Sequence, residues 1–497
     1  MDASPVLAPI QSMVVYTADP WESALPILRY REAARMTGIK AMPGNHGPQV
    51  DFSLIDQADL VLIQRDFPRF TRAWGEILLR ARQQGKPVVY ETDDLLFELS
   101  TEHPSYHDLT LYTIPMLWAI QEADLATTST PCLAKSLQPF QANIQILPNY
   151  LNDHLWKLRP PQRSKAGDKV IIGFMGGKTH RQDLGSIIPV LQNIRQRYAS
   201  SVMLRFWGCM PPQELLGQPD VDWTPLGIQD YAQFADYFNR QHIDIAIAPL
   251  EDNLLNQAKS PIKFLEYSAL GAAGVFSRLP PYASIVQDGE NGCLCNHPDE
   301  WEACLAELIE NPHKRLEMAA AAQESVKKDW LLSNHADRWR QAYQNIQPIT
   351  DCSTDALERS IALLCKSQDR ILSLEADRSF SSHQMQMQQA ELQQLIAHFQ
   401  TLAHELHQAR WQVNTLQNEM QTQNIRLAAL QTRQEGLAQL ASLLETEEDL
   451  AATRIQEIMA GRTWKLMLIL QKLRLLLIPN HSKREKFLKK LGILSKR

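Results

Sequence analysis

Two successive blocks of alternating strand-like and helix-like segments, split by one polar stretch, constrain this chain more than any other feature. In the first block, Ser12–Tyr16, Leu60–Ile63, Pro87–Tyr90, Ala126–Ser129 and Ile144–Leu147 are short runs that predict strands. Helical patterns are predicted between them over Ala24–Met36 and Phe70–Gln84, closed by Gly38 and Gly85. Leu158–Asp168 carries two prolines and a glycine and reads as a linker. The alternation then restarts, with strands predicted at Lys169–Met175, Val202–Trp207, Ile243–Ala248 and Gly274–Ser277. Helices are predicted at Leu184–Tyr198, Asp299–Glu310 and Pro312–Asn345. Strands separated by helices call for crossover connections and hence parallel sheets. The expected fold class is α/β, doubly wound twice, with a cleft between the halves. Ligands of such sheets bind outside the carboxyl ends of the strands.

From about Ser367 the character changes, and glutamine replaces glycine and proline. Apolar residues from Leu392 to Leu444 follow one heptad seam, interrupted only by Gln423 and Gln434. Such periodicity predicts a coiled coil over residues 367–450, with a single long helix as the alternative. A coiled coil implies a homo-oligomer. The segment Trp464–Ile478 is apolar but too short, and too rich in cations, to span a bilayer. Seven lysines and arginines follow Pro479, opposed only by Glu485. Residues 451–497 therefore read as a basic amphipathic tail suited to peripheral contact with anionic lipid. A docking helix with a solvated basic end is the alternative.

The formal net charge of −6 argues against a general nucleic-acid binder. Seven cysteines show neither a C-x-x-C pair nor zinc spacing, so reduced structural thiols in a cytoplasmic protein are expected. The opening Met1–Pro5 has no basic stretch before an apolar one, so no secretory leader is expected.

Two segments carry the chemistry. Gly173-Phe174-Met175-Gly176-Gly177-Lys178-Thr179-His180 follows a predicted strand and offers amides and a lysine to an anion. It is one residue short of a P-loop and lacks the G-x-G-x-x-G spacing, which counts against ATPase and dehydrogenase chemistry. In the second segment, Lys259, Lys263 and Glu266 are spaced to share one helical face near a helix start. Ser260 and Pro261 lie at that start. Two ammonium groups at a helix N-terminus suit a diphosphate, and a carboxylate one turn on suits a ribose diol. A merely solvated face is the alternative. In the first block, Asp93 and Asp94 follow a strand, where they either bind an acceptor hydroxyl or cap the next segment. His103 and His107 lie just beyond.

The stretch Lys259-Ser260-Pro261-Ile262-Lys263-Phe264-Leu265-Glu266, with Ala269, Gly271 and Val275, resembles the nucleotide-sugar-binding segment of the GT-B-fold retaining glycosyltransferases. Thr179, His180 and Asp183 are similar to the turn opening the second domain in a subgroup of them. Pro249-Leu250-Glu251-Asp252-Asn253 and Glu91-Thr92-Asp93-Asp94 are also similar to segments of that subgroup. The resemblance covers roughly residues 12–345. It implies two Rossmann-like domains, an acceptor domain at 1–157 and a nucleotide-sugar domain at 169–348, joined by a linker at 158–168. It further implies a retaining transfer without a metal or cofactor, from a nucleoside diphosphate sugar to a cell-surface glycan or lipid-linked acceptor. Catalytic roles fall to Lys259, Lys263, Asp93 and Asp94. Substrate contacts fall to Gly176, Gly177, Lys178, Thr179, His180, Ser260 and Glu266. The implied place is the cytoplasm, at the inner face of the plasma membrane if the tail binds lipid. One departure stands out. The family's Glu-x7-Glu places a carboxylate eight residues before Glu266, where this chain has Ala258. Asn256, Gln257, Glu251 or Asp252 are the candidate substitutes. A non-catalytic scaffold assembling partners through its coiled coil is the alternative function.

Overall fold

The structure, a computed structural model, describes residues 9–162, 168–344, 346–349 and 354–378, with residues 399 and 401. The predicted coiled coil and tail lie outside the described residues, apart from 367–378, 399 and 401. The chain up to Leu364 forms one compact unit.

That unit holds two six-stranded sheets in which every pairing is parallel. The first contains β1 (Ser12–Tyr16), β2 (Lys40–Pro43), β5 (Leu60–Gln64), β6 (Val88–Thr92), β7 (Leu125–Thr128) and β8 (Ile144–Ile146). Their order is β2-β1-β5-β6-β7-β8. Two short antiparallel strands, β3 (Asn45–His46) and β4 (Gln49–Val50), stand apart. The second sheet contains β9 (Val170–Gly176), β10 (Val202–Gly208), β11 (Val221–Thr224), β12 (Ile245–Ala248), β13 (Ala273–Ser277) and β14 (Cys293–Cys295), in the order β11-β10-β9-β12-β13-β14. Helices pack on both, so the central strands are covered on two faces. That is why β5, β12 and β13 read as unbroken apolar runs rather than alternating ones. Strands β2, β11 and β14 were not among the predicted strands. They are short or mixed in polarity, and all three lie at sheet edges.

Three predicted helices are remodelled. The helix beginning at Ala24 runs to Thr37, but Ile27–Arg31 is a π-turn. The span Leu184–Tyr198 is two helices, Arg181–Gly185 and Ile188–Tyr198, because Pro189 has no amide to continue the first and starts the second. The predicted Pro312–Asn345 helix breaks at Trp330, into Pro312–Asp329, Leu332–His335 and Asp337–Gln344. No glycine or proline marks that break. Instead, extended Leu331 pairs with Leu151, whose amide donates to the Trp330 carbonyl and whose carbonyl accepts from Leu332. Beyond the break, Leu332, Ala336, Trp339 and Tyr343 bury against the core of the first sheet. The chain thus crosses between the sheets twice. Among the described cysteines all are free.

Candidate active site at two strand-order reversals

In chain order the second sheet reads 3-2-1-4-5-6, the arrangement of dinucleotide-binding sheets, and it reverses between β9 and β12. Two loops leave the carboxyl ends of these strands. One carries Gly177 to Asp183, and the other carries Pro249 to Ser260. Asp183, 3 % exposed, ties them together. Its carboxylate meets His180 Nδ1 at 2.9 Å, the Glu251 amide at 2.9 Å and Asn256 Nδ2 at 2.7 Å. Burial pushes the Asp183 carboxyl up, but the His180 hydrogen bond and the Lys259 charge outweigh it and hold it below the usual range. Burial also lowers the His180 pKa, against the pull of Asp183, so the ring is neutral near pH 7. With Asp183 accepting from Nδ1, the hydrogen-bond network assigns the proton there and leaves Nε2 as an acceptor for a ligand hydroxyl.

Lys259 and Lys263 do not share a helix. Lys259 is extended and ends the short helix Leu254–Ala258, while Lys263 lies in the first turn of Ile262–Ala269. Pro261 disfavours helical geometry at Ser260, which separates the two. Both ammonium groups nevertheless act on His180, and Lys259 also acts on His103 from the first sheet. Both lysines are half-buried. No side chain caps the start of Ile262–Ala269, so its first amides stay open to an anion. Tyr267 pins this helix to the sheet, accepting from the Met175 amide at 3.0 Å and donating to the Ile247 carbonyl at 3.2 Å.

Glu266 is 3 % exposed. Its oxygens accept from Lys263 Nζ at 3.1 Å and from the Tyr231 hydroxyl at 3.1 Å. A ribose would therefore meet an occupied carboxylate with only its remaining lone pairs. Ser260 Oγ accepts from Asn149 Nδ2 at 2.8 Å, a bond that spans the two sheets. A Cβ on Gly176 would meet the Phe174 ring at 2.9 Å and His180 at 3.2 Å, whereas one on Gly177 would make only ordinary contact with Thr179 Oγ1 at 3.9 Å. Lys178 and Thr179 are exposed, in a single 3-10 turn. The helix after that turn, Arg181–Gly185, is only five residues long.

The first sheet reverses between β1 and β5. Asp93 and Asp94 follow β6. Arg65, which ends β5 and was missed in the sequence, lies between Asp93 at 3.6 Å and Asp94 at 3.9 Å. Burial, and then the Asp94 charge, push the Asp93 carboxyl up to about 7 against the pull of Arg65. Burial works against the Arg65 charge, but Asp93, Asp94, Asp19 and Asp66 hold its pKa above the ordinary value. Burial and the Lys259 charge lower the His103 pKa against the pull of Asp94 and Asp183, while His107 is exposed.

A buried polar chain runs beneath. Thr17 donates to Gln64 at 2.6 Å, Gln64 to Glu91 at 3.2 Å, and Arg29 to Glu91 at 2.6 Å. Arg29 also donates to Asn149 at 2.7 Å, which continues to Ser260. Arg29 and Glu91 are wholly excluded from solvent. A readable signal existed, since Gln64 and Glu91 are polar residues inside apolar strands.

Residues 193–341 match the family model described as glycosyl transferase-like. That span covers the Pro249–Ser260 loop and the Ile262–Ala269 helix. No curated protein matches the chain. Among solved structures, it is similar to a sucrose-phosphate synthase from Thermosynechococcus elongatus, at 13 % identity over 67 % of this chain and 88 % of that one, with a TM-score of 0.46. It is similar to Anabaena HepE in complex with UDP and glucose, at 12 % identity over 68 % and 100 %, with a TM-score of 0.46. A glycosyltransferase from Rickettsia africae shares 11 % identity over 68 % and 98 %, with a TM-score of 0.46. At such values the fold rests on this chain's own strand order and connections.

Among the described residues no group of three or more His, Cys, Asp or Glu is arranged to hold a metal ion. Among them, too, no helix is long and apolar enough to cross a membrane.

Proposed function

We propose that this protein transfers a sugar from a nucleoside diphosphate sugar to a hydroxyl acceptor. The observation that carries this reading is the gathering of Lys259, Lys263 and His180 at the reversal of a 3-2-1-4-5-6 sheet, with both lysines inside a span matching a glycosyl transferase-like family. In this reading the two ammonium groups and the uncapped helix start neutralise the departing diphosphate, whose charge grows in the transition state. Gly177, exposed and without a side chain, lets the diphosphate approach the backbone. Glu266 contacts the ribose, and His180 Nε2 accepts from a hydroxyl of the transferred sugar. The acceptor lies on the first sheet, beside Asp93 and Asp94. Retention of configuration, independence of metal and a surface-glycan or lipid-linked acceptor belong to the same proposal. So do a homo-oligomer through the coiled coil and attachment to the inner face of the plasma membrane through the tail.

The missing carboxylate at Ala258 finds a substitute within this loop. Ala258 is fully buried and its carbonyl accepts from Thr130 Oγ1 at 2.7 Å. Asn256 is committed to Asp183, and Gln257 donates to Asp252 at 2.6 Å. Glu251 is half-buried. Burial, Asp183 and Glu102 raise its pKa. We assign the vacant role to Glu251.

Thermal unfolding with UDP and with GDP tests the reading. At a hundred times Kd, a bound nucleotide stabilises by about 2.7 kcal/mol. Lys263→Ala should abolish that shift while the unliganded fold persists by circular dichroism. If neither nucleotide shifts the unfolding temperature, the second reading gains, a scaffold that keeps the fold without the transfer.

A further inference from the structure

Three of the six described cysteines meet at one edge of the second sheet. Cys293 and Cys295 stand two residues apart in β14, so both thiols leave the same face of the strand. Both are buried, at 3 % and 1 % exposed. They lie too close along one strand to bridge each other readily. The helix Pro298–Glu310 brings in the third thiol. Cys304, near its middle, packs on the core cluster that contains both strand cysteines. Its sulfur hydrogen-bonds with each of them. Cys304 is half-buried, so it is the member of the trio that solvent touches. The three thiols are not equivalent. Hydrogen bonds from Cys293, then from Cys295, hold the Cys304 thiol below the ordinary value, against burial and the charges of Asp288 and Glu300. The strand thiols are pushed up, first by the same bond to Cys304 and then by burial. Lys314 adds positive charge to this neighbourhood. Its pKa is raised mainly by Glu307, and further by Cys293 and Cys304. Among the described residues no group of three His, Cys, Asp or Glu is arranged to hold a metal ion, so the trio is not read as a ligand set. One thiolate beside two thiols is the arrangement of a nucleophile with resolving partners.

We propose that Cys304 is an oxidisable nucleophile which a hydroperoxide converts into a reversible disulfide with Cys293 or Cys295. The Cys304 thiolate attacks one oxygen of hydrogen peroxide. The O–O bond breaks, hydroxide leaves and takes a proton from solvent, and the sulfur becomes a sulfenic acid. A strand thiol then attacks that sulfur. The S–S bond forms, the S–O bond breaks, and the thiol proton leaves with the hydroxyl as water. Two thiols and one peroxide thus give one disulfide and two waters. A small thiol reductant returns the trio to its starting state by exchange. Two resolving thiols stand ready, so the sulfenic acid is captured before a second peroxide carries it to sulfinic acid, which thiols do not reverse. The bridge ties β14 to the helix beside it. That strand is short and is paired only with β13 among the described strands. The inference does not depend on the transferase reading and holds equally for a scaffold.

The test uses the full chain, reduced, freed of reductant and exposed to hydrogen peroxide. Digestion at acidic residues cuts at Asp299, Glu300 or Glu302 and so parts Cys304 from the strand pair. Mass spectrometry should find the two peptides joined, and dithiothreitol should separate them. Cys293→Ser and Cys295→Ser should each keep a bridge through the remaining strand thiol. The two changes together should lose it, with the Cys304 sulfenic acid trapped by dimedone or carried on to sulfinic acid. Before oxidation, iodoacetamide in mildly acidic buffer should modify Cys304 at least about tenfold faster than Cys132, which is also half-buried. The proposal is overturned if peroxide leaves all three thiols free. It also fails if the strand pair bridges with itself, if Cys304 bridges to any other cysteine, or if Cys132 is alkylated as fast as Cys304. Peptide mapping and alkylation of the natural chain need no variant, so a misfolded variant does not blunt the test.

Discussion

The two sheets share a plan, yet their reversal points are finished in opposite ways. At the second, polar groups satisfy one another: Asp183 holds His180, Asn256 and the Glu251 amide, and Glu266 holds Lys263 and Tyr231. At the first, Asp93 and Arg65 face each other beyond hydrogen-bonding distance, and each keeps a buried polar atom without a hydrogen bond. The difference teaches that one parallel-sheet scaffold can carry a cross-linked polar cluster at one reversal point and a loosely paired acidic one at the other. Loop chemistry decides which, and strand order does not.

The comparison can be broken first at the chain that joins the two points. Arg29→Ala leaves Glu91 buried and unpaired and should cost about 3–5 kcal/mol, read by urea denaturation. The same variant should weaken nucleotide binding, because Asn149 loses the group that orients it toward Ser260. A loss under 1 kcal/mol would mean that the two ends are independent. Next comes Asp183→Ala, which strips three partners of a charged acceptor and should cost about 2–3 kcal/mol. At the first sheet, Asp93→Asn should behave oppositely. The folded Asp93 carboxyl titrates near 7, above its unfolded value of about 3.9. The native state therefore holds the extra proton between those values. The stability it contributes is full below pH 4 and is lost as pH rises through 7. Asp93→Asn should remove that decline and leave the variant no less stable than the natural chain at pH 8. An unchanged pH profile would show that the Asp93 carboxyl does not carry the decline. The smallest effect belongs to Gly177→Ala, which should change stability by within about 0.5 kcal/mol while lowering nucleotide affinity.

Much of the architecture was legible because parallel strands buried on both faces leave unbroken apolar runs. Val61-Leu62-Ile63 and Ile245-Ala246-Ile247 announce themselves. Edge strands such as Val221–Thr224 do not, since one side of them meets solvent and their composition is mixed. The break at Trp330 was invisible because no local residue demands it. Only the distant pairing with Leu151 does. Lys263 and Glu266 were singled out from their spacing, and His180 and Asp183 from the resemblance of their turn to a glycosyltransferase segment. The supposed shared face of Lys259 and Lys263 could not survive Pro261. Arg65 and Arg29 escaped notice because their roles come from neighbours far along the chain. Polar residues interrupting strands, Gln64 and Glu91, were the available clue.

The side-by-side passage of Leu151 and Leu331 has a mechanical outcome. Two backbone threads are laced to each other there by amide hydrogen bonds, so the outgoing and the returning crossing of the chain are tied at one point.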